Sequence, residues 1–174
     1  RLWKLVPARA GDFNVPTPVA VNGKLLVTTE GNGTRLYAFD PEGRIISTPV
    51  ATNDELACDM SSPVVVGKRV FCVDGGLFCL YLEANLATRW IGDDDAFGDY
   101  AAILADGERL LVFGRGDEIL LIDATADEMQ VVSRGFAIED PQTRYAETYA
   151  HPAIVGNRLF LRGENYLICV DLAG

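Results

Sequence analysis

The chain has 174 residues, of which 49% are hydrophobic, and a formal net charge of −10 at pH 7. This length suits one domain with a substantial core. The 15 Lys and Arg residues form no run longer than Lys68-Arg69, whereas nucleic-acid binding depends on clustered basic residues. No apolar run approaches the ~18 residues that a membrane-spanning helix needs. The composition therefore predicts neither a nucleic-acid partner nor a membrane span.

One hairpin pattern occurs four times along the chain. Each copy has a small residue or proline, a short apolar run, a tight glycine turn and a second apolar run. The copies begin at Pro18, Pro63, Ala101 and Pro152. Their turn glycines, spaced by 44, 40 and 49 residues, are Gly23, Gly67, Gly107 and Gly156. The pairs Asn22-Gly23 and Asp106-Gly107 supply the positive φ angles of tight hairpins, so each copy predicts two antiparallel strands.

A third and a fourth strand are predicted behind each hairpin. Third strands are expected at 36–40, 77–81, 119–123 and 167–171, and fourth strands at 45–50, 88–91 and 129–133. Several runs are apolar at successive residues, which suits strands covered on both faces. Four strands in about 40–45 residues are typical of a propeller blade. We predict an all-β chain, one domain over 1–174, whose antiparallel blades span 18–50, 62–92, 100–134 and 151–174.

The two ends of the chain complement one another in this scheme. The last unit stops where its fourth strand should begin, and residues 2–6, which include Trp3, resemble that missing strand. A strand from one end that completes a blade at the other would remove an exposed sheet edge. The chain is therefore either a four-bladed ring closed by the strand of Trp3 or half of a larger, eight-bladed ring. The second alternative is favoured, because the chain starts at Arg1 without an initiator Met.

The four cysteines are too few for a disulfide framework in a chain of this length. Cys72 and Cys79 flank the turn Asp74-Gly75-Gly76, and a two-residue loop at Gly75-Gly76 would place them directly opposite each other. They could then form a disulfide bond, which would indicate an oxidising compartment. The favoured interpretation is that both are small buried residues, since free Cys is commonly buried.

The linkers between blades hold most of the polar and aromatic residues that do not repeat. They are predicted at 51–61, 92–100 and 135–151, on the face that carries the mouth of the channel. Function on repeat scaffolds is usually carried by such loops, because the strands are committed to packing. The candidate binding residues are Asp59, Ser61, Tyr100, Arg144, Tyr145, Tyr149 and His151.

Neither a catalytic nor a metal site is predicted. His151 is the single histidine, and a catalytic role would need a base or metal partner that the sequence does not identify. The acidic run 93–99 has carboxylates that Ca²⁺ could use, but it lacks the spacing of an EF-hand loop. A solvated connection between blades is the favoured interpretation of this run.

The repeat resembles the pyrroloquinoline-quinone-like (PQQ-like) propeller repeat, whose blades have a strand ending in A-x-D, a glycine turn and a strand with tryptophan. The matching residues are Ala38-Phe39-Asp40 with Gly43, Cys169-Val170-Asp171, Ser61-Ser62-Pro63, Trp90 and Trp3. The resemblance covers essentially the whole chain. It implies a bacterial β-propeller that acts in the periplasm or outside the cell.

That family contains both enzymes and binding scaffolds. Its quinone-dependent dehydrogenases hold the quinone with Ca²⁺, a catalytic Asp, a vicinal disulfide and a stacked Trp, whereas the lipoprotein scaffold of outer-membrane protein assembly is not an enzyme. This chain has no adjacent Cys-Cys pair, and its Trp residues match structural positions of the repeat. We therefore expect a non-catalytic scaffold without a cofactor that binds a protein, peptide or small ligand. The alternative is half of a PQQ-dependent dehydrogenase.

Overall fold

The computed structural model describes residues 2–98, 100–138, 149–162 and 166–172. These residues form fifteen β-strands and one 3₁₀ turn, with no α-helix among them. The strands assemble into antiparallel sheets, each built from strands that are consecutive in the chain. The prediction of an all-β chain with four propeller blades is confirmed. No helix in the described part of the chain is long and apolar enough to cross a membrane.

The first three blades have four strands each, and the fourth has three in its described residues. The first blade contains β1 (Val19–Val21), β2 (Lys24–Thr29), β3 (Gly33–Tyr37) and β4 (Ala51–Asn53). The second contains β5 (Val64–Val66), β6 (Arg69–Val73), β7 (Leu77–Tyr81) and β8 (Ala87–Gly92). The third contains β9 (Ala102–Asp106), β10 (Arg109–Phe113), β11 (Glu118–Asp123) and β12 (Val131–Phe136). The fourth contains β13 (Ala153–Val155), β14 (Arg158–Arg162) and β15 (Leu167–Asp171).

The first strands of neighbouring blades lie side by side. β1 contacts β5, and β5 contacts β9, so these strands form the inner edges of their blades. Two apolar layers fill the spaces between blades: one between the first and second, the other between the second and third. Strands β6 and β7 are buried along almost their whole length because alternate side chains enter different layers. This explains why their apolar residues are consecutive rather than alternating.

The hairpin between β1 and β2 has the predicted turn. Val21 pairs with Lys24, and the two loop residues Asn22 and Gly23 have φ angles of 48° and 71°, as a type I′ turn requires. The third blade differs slightly, since Asp106 pairs with Arg109. Its loop is therefore Gly107-Glu108 rather than Asp106-Gly107.

Two predicted fourth strands are displaced toward the C-terminus. The strand predicted at 45–50 is observed as β4 at Ala51–Asn53, and the one predicted at 129–133 as β12 at Val131–Phe136. In the first blade, only Ile45 makes a bridge, to Phe39. Pro49 lacks the N–H that a sheet ladder needs, so regular pairing starts after it. Among the described residues, the linkers consequently cover 54–63, 93–98, 100–101, 137–138 and 149–152.

Residues 2–6 do not form the predicted strand. They lie outside all sheets, and the Trp3 ring instead packs against Phe39 of the first blade, with ring centroids 6.0 Å apart. Among the described residues, β15 pairs only with β14. A four-bladed ring closed by the strand of Trp3 is therefore not the arrangement found here.

The alternative in which Cys72 faces Cys79 is wrong, because the hairpin has a different register. Both cysteines are buried, as the favoured interpretation expects. Val73 pairs with Leu77, so the loop has three residues, Asp74-Gly75-Gly76, closed by a hydrogen bond from Asp74 N to Gly76 O. Cys72 therefore pairs with Phe78 and faces the first blade. Cys79 pairs with Phe71 and faces the third blade. The two thiols are on opposite faces of one sheet.

Candidate binding face

The three linkers emerge on one face of the propeller. Strands alternate in direction, so the linkers lie on the same side as the turns that join the second and third strands of each blade. A hydrogen bond of 3.1 Å from Ala57 N to Asp74 Oδ2 connects the first linker to such a turn. We call the surface formed by residues 54–63, 93–98, 100–101 and 149–152 the linker face. The hairpin turns at Gly23, Gly67, Gly107 and Gly156 lie on the opposite face.

Asn53 fixes the start of the first linker. Its side chain is only 7% exposed, and its Nδ2 donates hydrogen bonds to Leu86 O at 2.8 Å and to Thr88 Oγ1 at 3.0 Å. Its Oδ1 accepts hydrogen bonds from Glu55 N and Leu56 N, both at 2.9 Å. One side chain therefore ties the first blade, the linker and the second blade together. No motif in the sequence singles out Asn53.

Ser61 fixes the other end of the same linker. Its side chain is 1% exposed, and its Oγ accepts a hydrogen bond of 3.3 Å from Ala101 N, at the start of the third blade. Ser61 therefore joins blades in the interior and is not a surface group in this structure. Asp59, two residues earlier, is half-buried on the linker face.

Tyr100 and Tyr149 meet where the second and third linkers approach each other. The Tyr100 hydroxyl donates to Tyr149 O at 3.1 Å, and the two rings lie 5.5 Å apart with a tilt of 53°. This is a favourable geometry for an aromatic pair. Burial raises the pKa of Tyr100, while Tyr149 remains 56% exposed. The structure thus brings together two of the predicted site residues that are distant in sequence.

A small cavity lies beneath this tyrosine pair, between the third and fourth blades. It has a volume of about 30 Å³ and is lined by Tyr100, Asp117, Pro152 and Tyr166 among others. The Tyr166 hydroxyl donates a hydrogen bond of 3.4 Å to Asp117 Oδ2. Burial and the nearby Asp117 carboxylate raise the pKa of Tyr166. Asp117 and Tyr166 were not among the predicted site residues, because both belong to turns between strands rather than to linkers.

The remaining predicted site residues lie near this pair in sequence. His151 is exposed, two residues before β13. Arg144 and Tyr145 lie outside the described residues. The binding role of all seven predicted residues stays a prediction.

One residue of the acidic run 93–99, Asp94, makes contacts that stabilise the fold. Asp94 forms an ion pair with Arg134, which also pairs with Glu118, and Asp94 Oδ1 accepts a hydrogen bond of 3.0 Å from Ala96 N. Burial acts to raise the pKa of Asp94, but these hydrogen bonds outweigh it and hold the pKa below its ordinary value. The side chains of Asp93 and Asp95 are exposed. They leave the linker face acidic.

A quinone cofactor with Ca²⁺ would need metal ligands and a stacking surface for its ring. No three His, Cys, Asp or Glu side chains stand together there as potential metal ligands. Trp90 lies on the fourth strand of its blade, as predicted, and packs against Phe71 with ring centroids 5.9 Å apart. It belongs to the apolar layer between blades, so its ring does not form the floor of an open pocket. The expectation that no cofactor binds stays a prediction.

A larger apolar cleft separates the third and fourth blades away from the linker face. Its volume is about 550 Å³, and its walls include Leu104, Leu111, Leu121, Ile154 and Leu172. The corresponding space between the second and third blades is filled by a continuous buried layer. The fourth blade therefore covers the third one incompletely.

The comparisons with known proteins support the fold. No protein-family model matches the chain, and no curated protein matches it. The chain is similar in structure to BamB from Moraxella catarrhalis, a β-propeller protein, with a TM-score of 0.61 and 15% sequence identity. The match covers 96% of this chain and 49% of the BamB chain. The chain thus spans about half the length of that propeller, and at this identity the likeness shows the fold alone.

Proposed function

We propose that this chain is a non-catalytic propeller module that binds a protein segment through the linker face. The observation that carries the proposal is the Tyr100–Tyr149 pair, in which an exposed aromatic ring is held by a second, partly buried one. The strands themselves are committed to packing, which leaves binding to the loops. The function is proposed from this site because a propeller fold alone does not specify one.

The tyrosine pair has the properties of an interface anchor. Tyr is enriched in the energetically dominant residues of interfaces, since it offers a large rigid contact area and a polar tip. Here the hydrogen bond from Tyr100 to Tyr149 O restrains the backbone that carries the exposed ring. Restraint before binding lowers the entropic cost of association. Tyr149 is therefore the proposed centre of the contact.

The charges of the linker face suggest the chemistry of the partner. Exposed Asp93 and Asp95 lie on the second linker, and Tyr100 belongs to the same linker. A partner segment with Lys or Arg beside an apolar or aromatic residue would complement this surface. The net charge of −10 on the chain would also accelerate the approach of a basic partner.

The proposal includes that the protein acts outside the cytoplasm. The PQQ-like resemblance includes exported propellers, and the structural neighbour BamB is a lipoprotein of outer-membrane protein assembly. Both favour the periplasm or the cell exterior and a protein as the partner.

The proposed scaffold has a second kind of partner, which is further blades of a longer parent chain that would pack against its two end blades. Large apolar side chains are exposed at both end blades: Phe13 and Val15 precede β1, and Leu167, 71% exposed, lies on β15. Neighbouring blades would cover such residues, as the inner blades do for one another. The coverage of about half of the BamB chain agrees with this interpretation.

The proposal can be tested with a displayed library of random peptides selected on the immobilised chain. We expect the enriched peptides to carry Lys or Arg next to an aromatic residue. Tyr149→Ala should weaken their binding at least tenfold, and Asp95→Ala should weaken it less. Glu108→Ala is the matched control, since it removes an exposed carboxylate on the opposite face.

Three results would overturn the proposal: no enriched peptide, equal binding to the Tyr149→Ala chain, or weaker binding to the Glu108→Ala chain alone. The dehydrogenase alternative is tested in parallel by adding the quinone with Ca²⁺ and recording the melting temperature. A ligand that binds the folded chain raises that temperature. An increase would favour the enzyme, and an unchanged value would count against it.

A further inference from the structure

Two buried thiols meet where the first linker crosses the second blade. The sulfur atoms of Cys58 and Cys72 are 2.7 Å apart, well inside the usual contact distance of two non-bonded sulfurs. Cys58 belongs to the linker and Cys72 to β6, and both side chains are essentially inaccessible to solvent. We propose that Cys58 and Cys72 form a disulfide bond that cross-links the first linker to β6.

The surrounding contacts hold each thiol in place independently of the other. Ala57, which precedes Cys58, is bound to the Asp74 carboxylate, and Leu56 is bound to Asn53. Cys72 is fixed by strand pairing with Phe78. Since the backbone is held on both sides, oxidation needs only a small adjustment of the side chains. This differs from a chance encounter of two mobile cysteines.

The geometry also selects this pair over all other pairs. Cys79 lies on the opposite face of the same sheet, in the layer toward the third blade. Cys169 is exposed on β15, in the fourth blade. Neither can reach Cys58 or Cys72 without a change of fold. One disulfide and two free thiols are therefore expected.

A small disulfide such as oxidised glutathione serves as the oxidant. The Cys58 thiolate attacks one of its sulfurs and forms a mixed disulfide, and one glutathione thiolate leaves. The Cys72 thiolate then attacks the Cys58 sulfur, which forms the internal bond and releases the second glutathione thiolate. The two protons lost by the cysteines end on the two glutathione thiols. Burial raises the pKa of Cys72, so exchange is expected mainly before the linker has docked.

The cross-link would restrain the linker face. It would hold the segment around Asp59 and Ser61 against the second blade and close a loop between positions 14 apart in the sequence. Loops of about 15 residues gain enough from closure to raise the melting temperature by roughly 6–12 °C in a chain of this size. The proposal concerns the scaffold itself and does not depend on the proposed partner.

The experiment refolds the chain with oxidised glutathione and then unfolds it in the presence of an alkylating reagent. Mass spectrometry should find two alkylated cysteines, Cys79 and Cys169, and a peptide in which Cys58 and Cys72 are linked. Prior reduction should give four alkylated cysteines. Cys79→Ser should leave the link intact, and Cys58→Ser should abolish it.

The melting temperature supplies a second readout on the unaltered sequence. Reduction should lower it by roughly 6–12 °C, and this loss should be absent in the Cys58→Ser chain. Four alkylated cysteines after oxidation, a lasting glutathione adduct, or a link to Cys79 or Cys169 would each overturn the proposal.

Discussion

Replacement of Asn53 by Ala tests how the first linker is held between two blades. The Asn53 side chain makes two hydrogen bonds in the interior, to Leu86 O and from Leu56 N, and two nearer the surface, to Thr88 Oγ1 and from Glu55 N. Alanine cannot replace any of them. The perturbation therefore removes one side chain and leaves several backbone groups without their partner.

The magnitude follows from the burial of those groups. A buried donor or acceptor that loses its partner costs about 1–3 kcal/mol, and Leu86 O and Leu56 N are two such groups. Water can replace the other two hydrogen bonds at small cost. We expect the free energy of unfolding to fall by about 4 kcal/mol, the middle of the resulting range.

Urea denaturation followed by tryptophan fluorescence measures this difference. The slope of the free energy against urea should stay constant, so that the change appears in the midpoint. Thr52→Ala is the matched control, since Thr52 is the exposed neighbour on the same strand, and it should change stability by less than about 0.5 kcal/mol. A loss below about 1 kcal/mol in the Asn53→Ala chain would refute the reasoning.

Two further changes probe the packing and charge around the second linker. Gly114→Ala should lower the free energy of unfolding by about 1–3 kcal/mol, because the added Cβ would overlap the Ala96 backbone. Gly135→Ala is the control, since its Cβ would meet open space, and it should leave the same urea titration unchanged. Asp94→Asn should lower the melting temperature at neutral pH. The pKa of Asp94 is held below its ordinary value in the folded chain. The charged form therefore stabilises the fold above the ordinary pKa of an Asp side chain, and this contribution disappears as the pH falls through the lowered pKa. A melting difference that is independent of pH would contradict this assignment.

The local pattern of the chain was sufficient to predict the blades. The Asn22-Gly23 turn and the consecutive apolar residues of β6 depend on near neighbours, and both were found as expected. Because the pattern occurs four times, the prediction of each strand was supported by its counterparts in the other copies. The fold could be predicted because the same strand and turn pattern recurs in four copies along the chain.

The register of the strands and the contacts between distant residues could not be predicted from near neighbours. Gly75-Gly76 has the composition of a two-residue loop, but the third loop residue, Asp74, is engaged by Ala57 of the linker, 17 positions away. The alternative in which Cys72 faces Cys79 failed for this reason. The position of β4 was missed because Pro49 interrupts pairing in an otherwise strand-like segment.

The candidate site could be predicted only as a set of loops. Tyr100 and Tyr149 were identified because they lie in linkers, but their contact spans 49 positions and has no local pattern. Ser61 belongs to the same linkers and is nevertheless buried. The burial of a loop residue depends on what the neighbouring blade presents to it, and a single sequence does not contain that information in a readable form.

Hydrogen–deuterium exchange with a selected peptide tests the central proposal most directly. The chain is labelled with and without saturating peptide, and protection is compared between the linker face and the hairpin turns opposite. The proposed binding face predicts slower exchange in residues 93–101 and 149–152, with unchanged exchange at the turns around Gly23, Gly67 and Gly107. Protection confined to those turns, or spread evenly over both faces, would contradict it.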